Sequence, residues 1–333
     1  MVLNCAIIGM GIGEKHLKTL LTLVNVKILF ICDFNEKKLN LIKSRYKDYK
    51  KLNNCVFTTN FKDILKSNKL NFTIISSFDN FHANQIIACA KKKINIFVEK
   101  PMCQNKKDLI KINNALQKYK VSISSNFVLR ENPIFKKLKK NIMQNKLGDI
   151  YHFETEYNYG RQEKIHYGWR KDIPYYSVNQ GGSIHVLDLI FFLKKQIIKS
   201  VYTVGNNICS KKSHFKHPDT SVSVLKFKDG STAQITANFS SVTPHHHKLS
   251  VYGTKASFEY NYFKNVYFFS RDNQKKLIKI EKNIKKYNKS IVLKDYIKLL
   301  LKNDKRSLKK KKDELLYNTK VILMMDKSMK TNN

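Results

Sequence analysis

Gly9, Met10, Gly11, Ile12 and Gly13 have the make-up of a phosphate cradle. Glycines between a strand and a helix let the backbone turn tightly, and they bring its amides close to a pyrophosphate at the positive helix end. The spacing is G-x-G-x-G, one residue shorter than the usual G-x-G-x-x-G. Asp33 ends the next apolar run, 20 residues beyond Gly13. A carboxylate there accepts hydrogen bonds from adenosine ribose hydroxyls and repels a 2′-phosphate. The pattern predicts a dinucleotide site that favours NAD over NADP, with nearby Lys37 and Lys38 pulling the other way. On its own, Asp33 also suits a helix cap or a turn.

Other reactive side chains point to less. His245, His246 and His247 are consecutive, so on a strand only His245 and His247 share a face. Two imidazoles fall short of a closed metal site, and no metal is expected. The bland reading is a polar strand start, lining a pocket if that face points inward. Cys5, Cys32, Cys55, Cys89, Cys103 and Cys209 form no C-x-x-C pair and read as reduced, buried thiols.

The elements that must hold these residues follow a clear rhythm. Strand-like runs at 3–8, 26–32, 56–58, 72–77, 94–98 and 121–125 alternate with helical patterns at 14–24, 35–46, 61–66, 83–92 and 106–119. That order predicts a parallel α/β sheet. Further strands are expected at 150–159, 200–205, 221–227, 231–239, 248–252, 257–260 and 266–269. Helices at 133–145 and 184–193 would cover one face of them. Asp229-Gly230 reads as a hairpin turn. The predicted fold is α/β: an N-terminal Rossmann parallel sheet, residues 1–122, followed by an α+β domain with a large open antiparallel sheet, residues 123–333. An open sheet face commonly drives association, so a homodimer or homotetramer is expected.

The formal net charge is +38, but only six of the 63 basic residues are arginine. Lysines spread along the whole chain describe a solvated basic surface rather than a nucleic-acid groove, which leans on arginine. The run 309–312 falls on a predicted helix and reads as its wet face. Hydrophobic residues make up 42% of the 333, which suits a globular chain. No apolar run is long enough to span a membrane. The chain opens on a strand pattern without a signal sequence, so a cytoplasmic location is expected.

Phe97-Val98-Glu99-Lys100-Pro101 carries a more specific signal. With it go Ser76-Ser77-Phe78-Asp79-Asn80-Phe81-His82, the stretch from Asn126 to Pro133, Leu147-Gly148-Asp149-Ile150 and Trp169-Arg170. Gly181-Gly182 leading to His185 and Asp188, Tyr252-Gly253-Thr254 and Asp326-Lys327-Ser328 complete the set. In this order the segments resemble the glucose–fructose oxidoreductase/inositol dehydrogenase/MocA (Gfo/Idh/MocA) family, over essentially the whole chain. The resemblance implies cofactor contacts at Gly9, Met10, Gly11, Ile12, Asp33, Ser76, Ser77, His82, Glu99, Lys100 and Asn126, with Trp169 and Arg170 at the nicotinamide end. It also implies that Lys100 and His185 act on the reacting carbon. A neutral imidazole can take the hydroxyl proton while an ammonium steadies the oxygen.

Bland readings stand beside these. Lys100 is one of many lysines, and His185 could be a helix histidine paired with Asp188. Many relatives carry Asp four residues before that histidine, where this chain has Gly181. Asp188, Tyr157, Tyr159 or a neighbouring side chain would then substitute, or the proton path differs. The implied function is an NAD(P)-dependent oxidoreductase acting on a hydroxyl or keto carbon of a sugar, cyclitol or nucleotide sugar. The alternatives are an NAD-assisted glycosidase and a non-catalytic NAD-binding regulator, and retention of Lys100 speaks against the regulator.

Overall fold

The structure is a computed structural model that describes residues 2–261, 266–270, 273–280 and 287–332. The chain forms two units: Met1–Asn126 with Lys289–Thr319, and Phe127–Asn288 with Lys320–Asn333.

The first unit is a parallel sheet of β1 (Leu3–Ile8), β2 (Val26–Cys32), β3 (Val56–Thr58), β4 (Phe72–Ile75), β5 (Asn95–Val98) and β6 (Ile123–Ser125). Their order is β3-β2-β1-β4-β5-β6, the doubly wound arrangement in which ligands bind beyond the carboxyl ends of the strands. Strands β1 and β4 are buried nearly throughout, as helix-covered parallel strands must be. The helices are α1 (Gly13–Leu21), α2 (Glu36–Arg45), α3 (Phe61–Lys66), α4 (His82–Lys91) and α5 (Lys106–Lys118). Asn35, Asn60 and Asn105 begin three of them by accepting backbone N–H bonds, the role in which asparagine stabilises a helix start. All eleven elements lie where the apolar spacing places them, within a few residues.

The second unit holds α6 (Pro133–Met143), β7 (Ile150–Asn158), α7 (Glu163–His166), α8 (Ile184–Leu193), β8 (Ile198–Asn206), β9 (Thr220–Phe227), β10 (Thr232–Asn238), β11 (His246–Gly253), β12 (Ala256–Tyr260), β13 (Val266–Ser270) and β14 (Asn273–Ile280). The sheet order is β14-β13-β12-β11-β7-β10-β9-β8. Asp229-Gly230 does turn the β9–β10 hairpin, with Gly230 at φ +88° and Ser231 N–H donating to the Asp229 carboxylate.

The large sheet is antiparallel as expected at every junction but one. Strand β7 sits between β10 and β11, parallel to β10 and antiparallel to β11. Because β10 and β11 run in opposite senses, a strand inserted between them must be parallel to one. Strand β14 was not anticipated, since lysines break up its apolar residues. Phe153, Ala233, Ile235, Leu225 and Leu249 alternate onto a fully buried inner face, where α8 packs on β7. Truncating Phe153 to alanine there would cost about 3–5 kcal/mol.

Two further helices, α9 (Ile291–Leu301) and α10 (Lys305–Asn332), follow. Helix α9 belongs to the first unit, where fully buried Tyr296 packs on Phe72 and Phe97. The last residues of α10 belong to the second unit, where they cover the outer edge strand β8. Ser328 Oγ accepts from Thr203 N–H, and Asn332 donates to the Thr203 carbonyl. Unpaired strand edges invite aberrant pairing, and this contact blunts one.

Of the six cysteines, Cys5, Cys32, Cys89 and Cys103 are buried, as expected, and Cys55 is half-buried. Burial pushes the Cys32, Cys55, Cys89 and Cys103 thiols up to about 12. Cys209 departs from the expectation. It is exposed in the loop after β8.

Candidate active site

In the first unit, the site begins with the turn between β1 and α1. Gly9 has φ +86°, and a Cβ there would lie 2.5 Å from the Ser76 backbone, so only glycine fits. Its N–H donates to the Cys32 carbonyl at 2.7 Å. The Ser76 hydroxyl donates to the Ile8 and Gly9 carbonyls at 3.0 and 2.8 Å, which ties the turn to the end of β4. Asp33 is buried and accepts from Met10 N–H at 2.6 Å and Asn35 N–H at 3.0 Å. Its carboxylate therefore braces the turn, and Lys38 Nζ stands 3.8 Å from it. Around Gly11 the space is open, with nothing within 4 Å of where a Cβ would be, and Ile12 is exposed. An open stretch of backbone with a carboxylate at the end of the neighbouring strand fits a dinucleotide's pyrophosphate and ribose.

Two strands along from β1 in the same sheet, β5 leads into Glu99, Lys100 and Pro101. Glu99 is buried, and its Oε1 accepts from His16 at 2.8 Å and from the Asn126 amide at 2.9 Å. Burial pushes the Glu99 carboxyl up, but the His16 hydrogen bond, the electrostatic pull of the His16 and Lys100 side chains, and the Asn126 amide hold it below the usual range. Since the carboxylate can only accept, His16 Nε2 carries the shared proton. His82 is fully buried, with its ring nitrogens 2.7 Å from the Pro101 carbonyl and 3.1 Å from the Ser77 carbonyl. It braces the loops beside Lys100 and has both nitrogens engaged. Ser77 donates its hydroxyl to Gln85 at 2.7 Å.

The sequence pattern alone does not single out His16. Its signal was faint: a histidine three residues after Gly13 on the buried face of α1, with its carboxylate partner 83 residues distant.

In the second unit, His185 is the second residue of α8, which follows a π-helical turn, Asn179–Ser183. It is partly exposed on a helix that is otherwise mostly buried. Its ring stacks on Tyr157, 5.6 Å between centroids and 11° between planes. His245 and His247 both meet Tyr157 edge-on, at 5.2 and 5.1 Å, so they share a face as strand alternation requires. His246 lies on the other face, against Asn158. Among the described residues, no group of three or more His, Cys, Asp or Glu side chains could hold a metal ion.

Trp169 and Arg170 share a short 3-10 turn. The Arg170 guanidinium lies over the Trp169 ring at 4.8 Å, and its Nε donates to the Tyr176 hydroxyl at 3.2 Å.

Two of the side chains weighed as substitutes for the aspartate missing at Gly181 can now be placed. Asp188 is fully buried in a forked ion pair with Arg130, at 2.8 and 2.5 Å, so its charge is committed there. The Tyr157 ring lies among the three stacked and edge-on histidines, and burial pushes its phenol well up. At position 181 itself a side chain would require Tyr176 to shift. A Cβ on Gly181 would lie 2.2 Å from the Tyr176 hydroxyl oxygen.

Comparison with known proteins places both units. Residues 3–127 match the oxidoreductase family with the NAD-binding Rossmann fold, and residues 135–259 match the GFO/IDH/MocA C-terminal domain. A myo-inositol 2-dehydrogenase from Thermotoga maritima is 24% identical over 266 residues, covering 76% of this chain and 73% of that protein. The solved structure of a scyllo-inositol dehydrogenase from Lactobacillus casei, with NAD(H) and scyllo-inositol bound, has a TM-score of 0.78 at 17% identity. It covers 100% of this chain and 98% of its own. A levoglucosan dehydrogenase in complex with NADH and levoglucosan has a TM-score of 0.81 at 15% identity, covering 99% and 98%.

Proposed function

The chain belongs to the Gfo/Idh/MocA family of NAD-binding oxidoreductases, and from that membership we propose a dehydrogenase or reductase acting on a hydroxyl or keto carbon of a cyclitol, sugar or nucleotide sugar. The observation that carries the reading is the Glu99-Lys100 pair. It stands at the carboxyl end of β5, in the same parallel sheet whose β1 ends in the glycine turn. The names of the inositol and levoglucosan dehydrogenases support the substrate class.

When bound, a nicotinamide dinucleotide supplies the acceptor or donor of hydride. The chain's own residues do the rest. The turn at Gly9–Ile12 and Asp33 hold the dinucleotide, with Ser76, Ser77, Glu99 and Asn126 along the strand ends. Asp33 favours NAD, because its carboxylate repels a 2′-phosphate. Trp169 and Arg170 contribute at the nicotinamide end. The Lys100 ammonium donates to the substrate oxygen and steadies negative charge as it builds. The His185 imidazole takes the hydroxyl proton, a task suited to a group with an ordinary pKa of about 6.5. We further propose that the chain works as a homodimer or homotetramer in the cytoplasm.

A panel of cyclitols, sugars and nucleotide sugars with NAD, read by absorbance of the reduced nicotinamide, tests the activity. Lys100→Met should lower kcat by about 100- to 1,000-fold, the usual cost of removing one charge-stabilising donor, while calorimetric NAD affinity stays nearly unchanged. Full turnover in that variant would refute the assignment.

A further inference from the structure

Lys100 must stay an ammonium to donate to a developing alkoxide, at the edge of a sheet whose interior is apolar. A carboxylate one residue away favours that charge, provided the carboxylate is itself ionised. Glu99 is poorly placed to be ionised by solvent, with its side chain only 11% exposed. An isolated buried carboxylate would take up a proton instead.

Two neutral or cationic donors prevent this, both converging on one oxygen. His16 comes from α1, the helix that begins at the glycine turn, and Asn126 follows the end of β6. The His16 ring is itself 8% exposed and is held edge-on against Phe97 at 5.5 Å. It has little freedom to swing away. Among the described residues, the charged and titratable groups facing Glu99 are His16 from α1 and Lys100 from its own strand end, with Asn126 the uncharged donor from beyond β6. Of these, His16 is the donor that reaches Glu99 from outside the sheet.

We propose, on the basis of the catalytic reading of Lys100, that His16 is a positioning residue acting through Glu99. Its Nε2–H bond fixes the carboxylate in place and in charged form beside the ammonium. One oxygen thereby joins the helix of the glycine turn to the strand end that carries Lys100. Loss of the His16 bond lets burial win at Glu99, and the negative charge that favours the ammonium is lost with it.

The test does not require turnover. Ligand-free protein is acetylated with a trace of acetic anhydride at pH 8, and each lysine's labelling rate is read by peptide mass spectrometry, with exposed Lys37 as the internal reference. Only a deprotonated amine reacts. In His16→Leu, the labelling of Lys100 should rise at least about threefold relative to wild type, reflecting a larger unprotonated fraction. His16→Gln places an amide donor near the former Nε2 and should restore most of the slow labelling, a rescue that a merely space-filling role would not show. Glu99→Gln removes the charge outright and should give the rise even if His16→Leu fails to fold. An unchanged Lys100 rate in either His16→Leu or Glu99→Gln, or equal rates in His16→Leu and His16→Gln, would overturn the proposal. NAD calorimetry and the substrate panel on wild-type protein judge the catalytic reading separately.

Discussion

Gly9 and Gly11 stand two residues apart, yet alanine at each should fail in a different way. At Gly9 the positive φ and the Ser76 backbone 2.5 Å away leave no room for a methyl group. The strained backbone alone costs about 1–3 kcal/mol, and the clash adds to it. Gly9→Ala should therefore lose several degrees of Tm by calorimetry. Gly11 has an ordinary φ and open space around it, so Gly11→Ala should melt like wild type. If a pyrophosphate lies against that backbone, the added methyl should weaken NAD binding by about tenfold, roughly 1.4 kcal/mol. Wild-type NAD affinity in Gly11→Ala would place the ligand elsewhere. The glycine turn was readable in the sequence because its chemistry is local: a tight turn demands glycine at fixed offsets. His16 was not, because its meaning depends on Glu99, which only the folded sheet brings to it.

At the scale of elements, the strand and helix rhythm was legible wherever apolar spacing alone sets the structure. It failed where tertiary partners decide. Lysine-rich β14 is one case, and α9, which packs by way of Tyr296 under β4 and β5, is another. The turn before α8 is a third. Its Asn179 and Gln180 are fully buried, although polar sequence suggests a surface loop. They are satisfied by Asp326 on α10, whose carboxylate accepts from Ser177 at 2.5 Å, Asn179 at 3.1 Å and Gln180 at 2.6 Å. Asp326→Ala should strand those donors at about 1–3 kcal/mol each and loosen the turn that leads to His185. Burial is the larger influence on Asp326 and raises its pKa above the usual carboxylate value despite these bonds. Over the interval between the unfolded and the raised folded pKa, the native state binds more protons, so this group's contribution to stability is full at lower pH and is lost as pH rises through the folded value. Urea unfolding of wild type and Asp326→Asn across pH 3–8 should show that decline in wild type and a flatter profile in the variant. Parallel profiles would mean that the carboxylate has the same pKa in the folded and unfolded protein.

At the scale of the whole molecule, two properties oppose each other. The outer face of the second sheet exposes Tyr202 and Val224, paired across β8 and β9, with Val204 two residues along. Apolar side chains in register on an open sheet favour a second copy of the same surface. The formal net charge of +38 disfavours any second copy, because like-charged bodies repel. Salt decides between them: the Debye length falls from about 30 Å at 0.01 M to about 3 Å at 1 M, which removes the repulsion and leaves the apolar contact intact. Sedimentation at micromolar concentration should therefore show a homodimer or homotetramer that tightens as salt rises. Val224→Lys should weaken it, since a charge on that face cannot be buried without a partner. Retention on nucleic acid through the same lysines would respond in the opposite sense and collapse with added salt, because it depends on counterion release. A monomer at every salt concentration would mean that the exposed row on β8 and β9 serves no self-association.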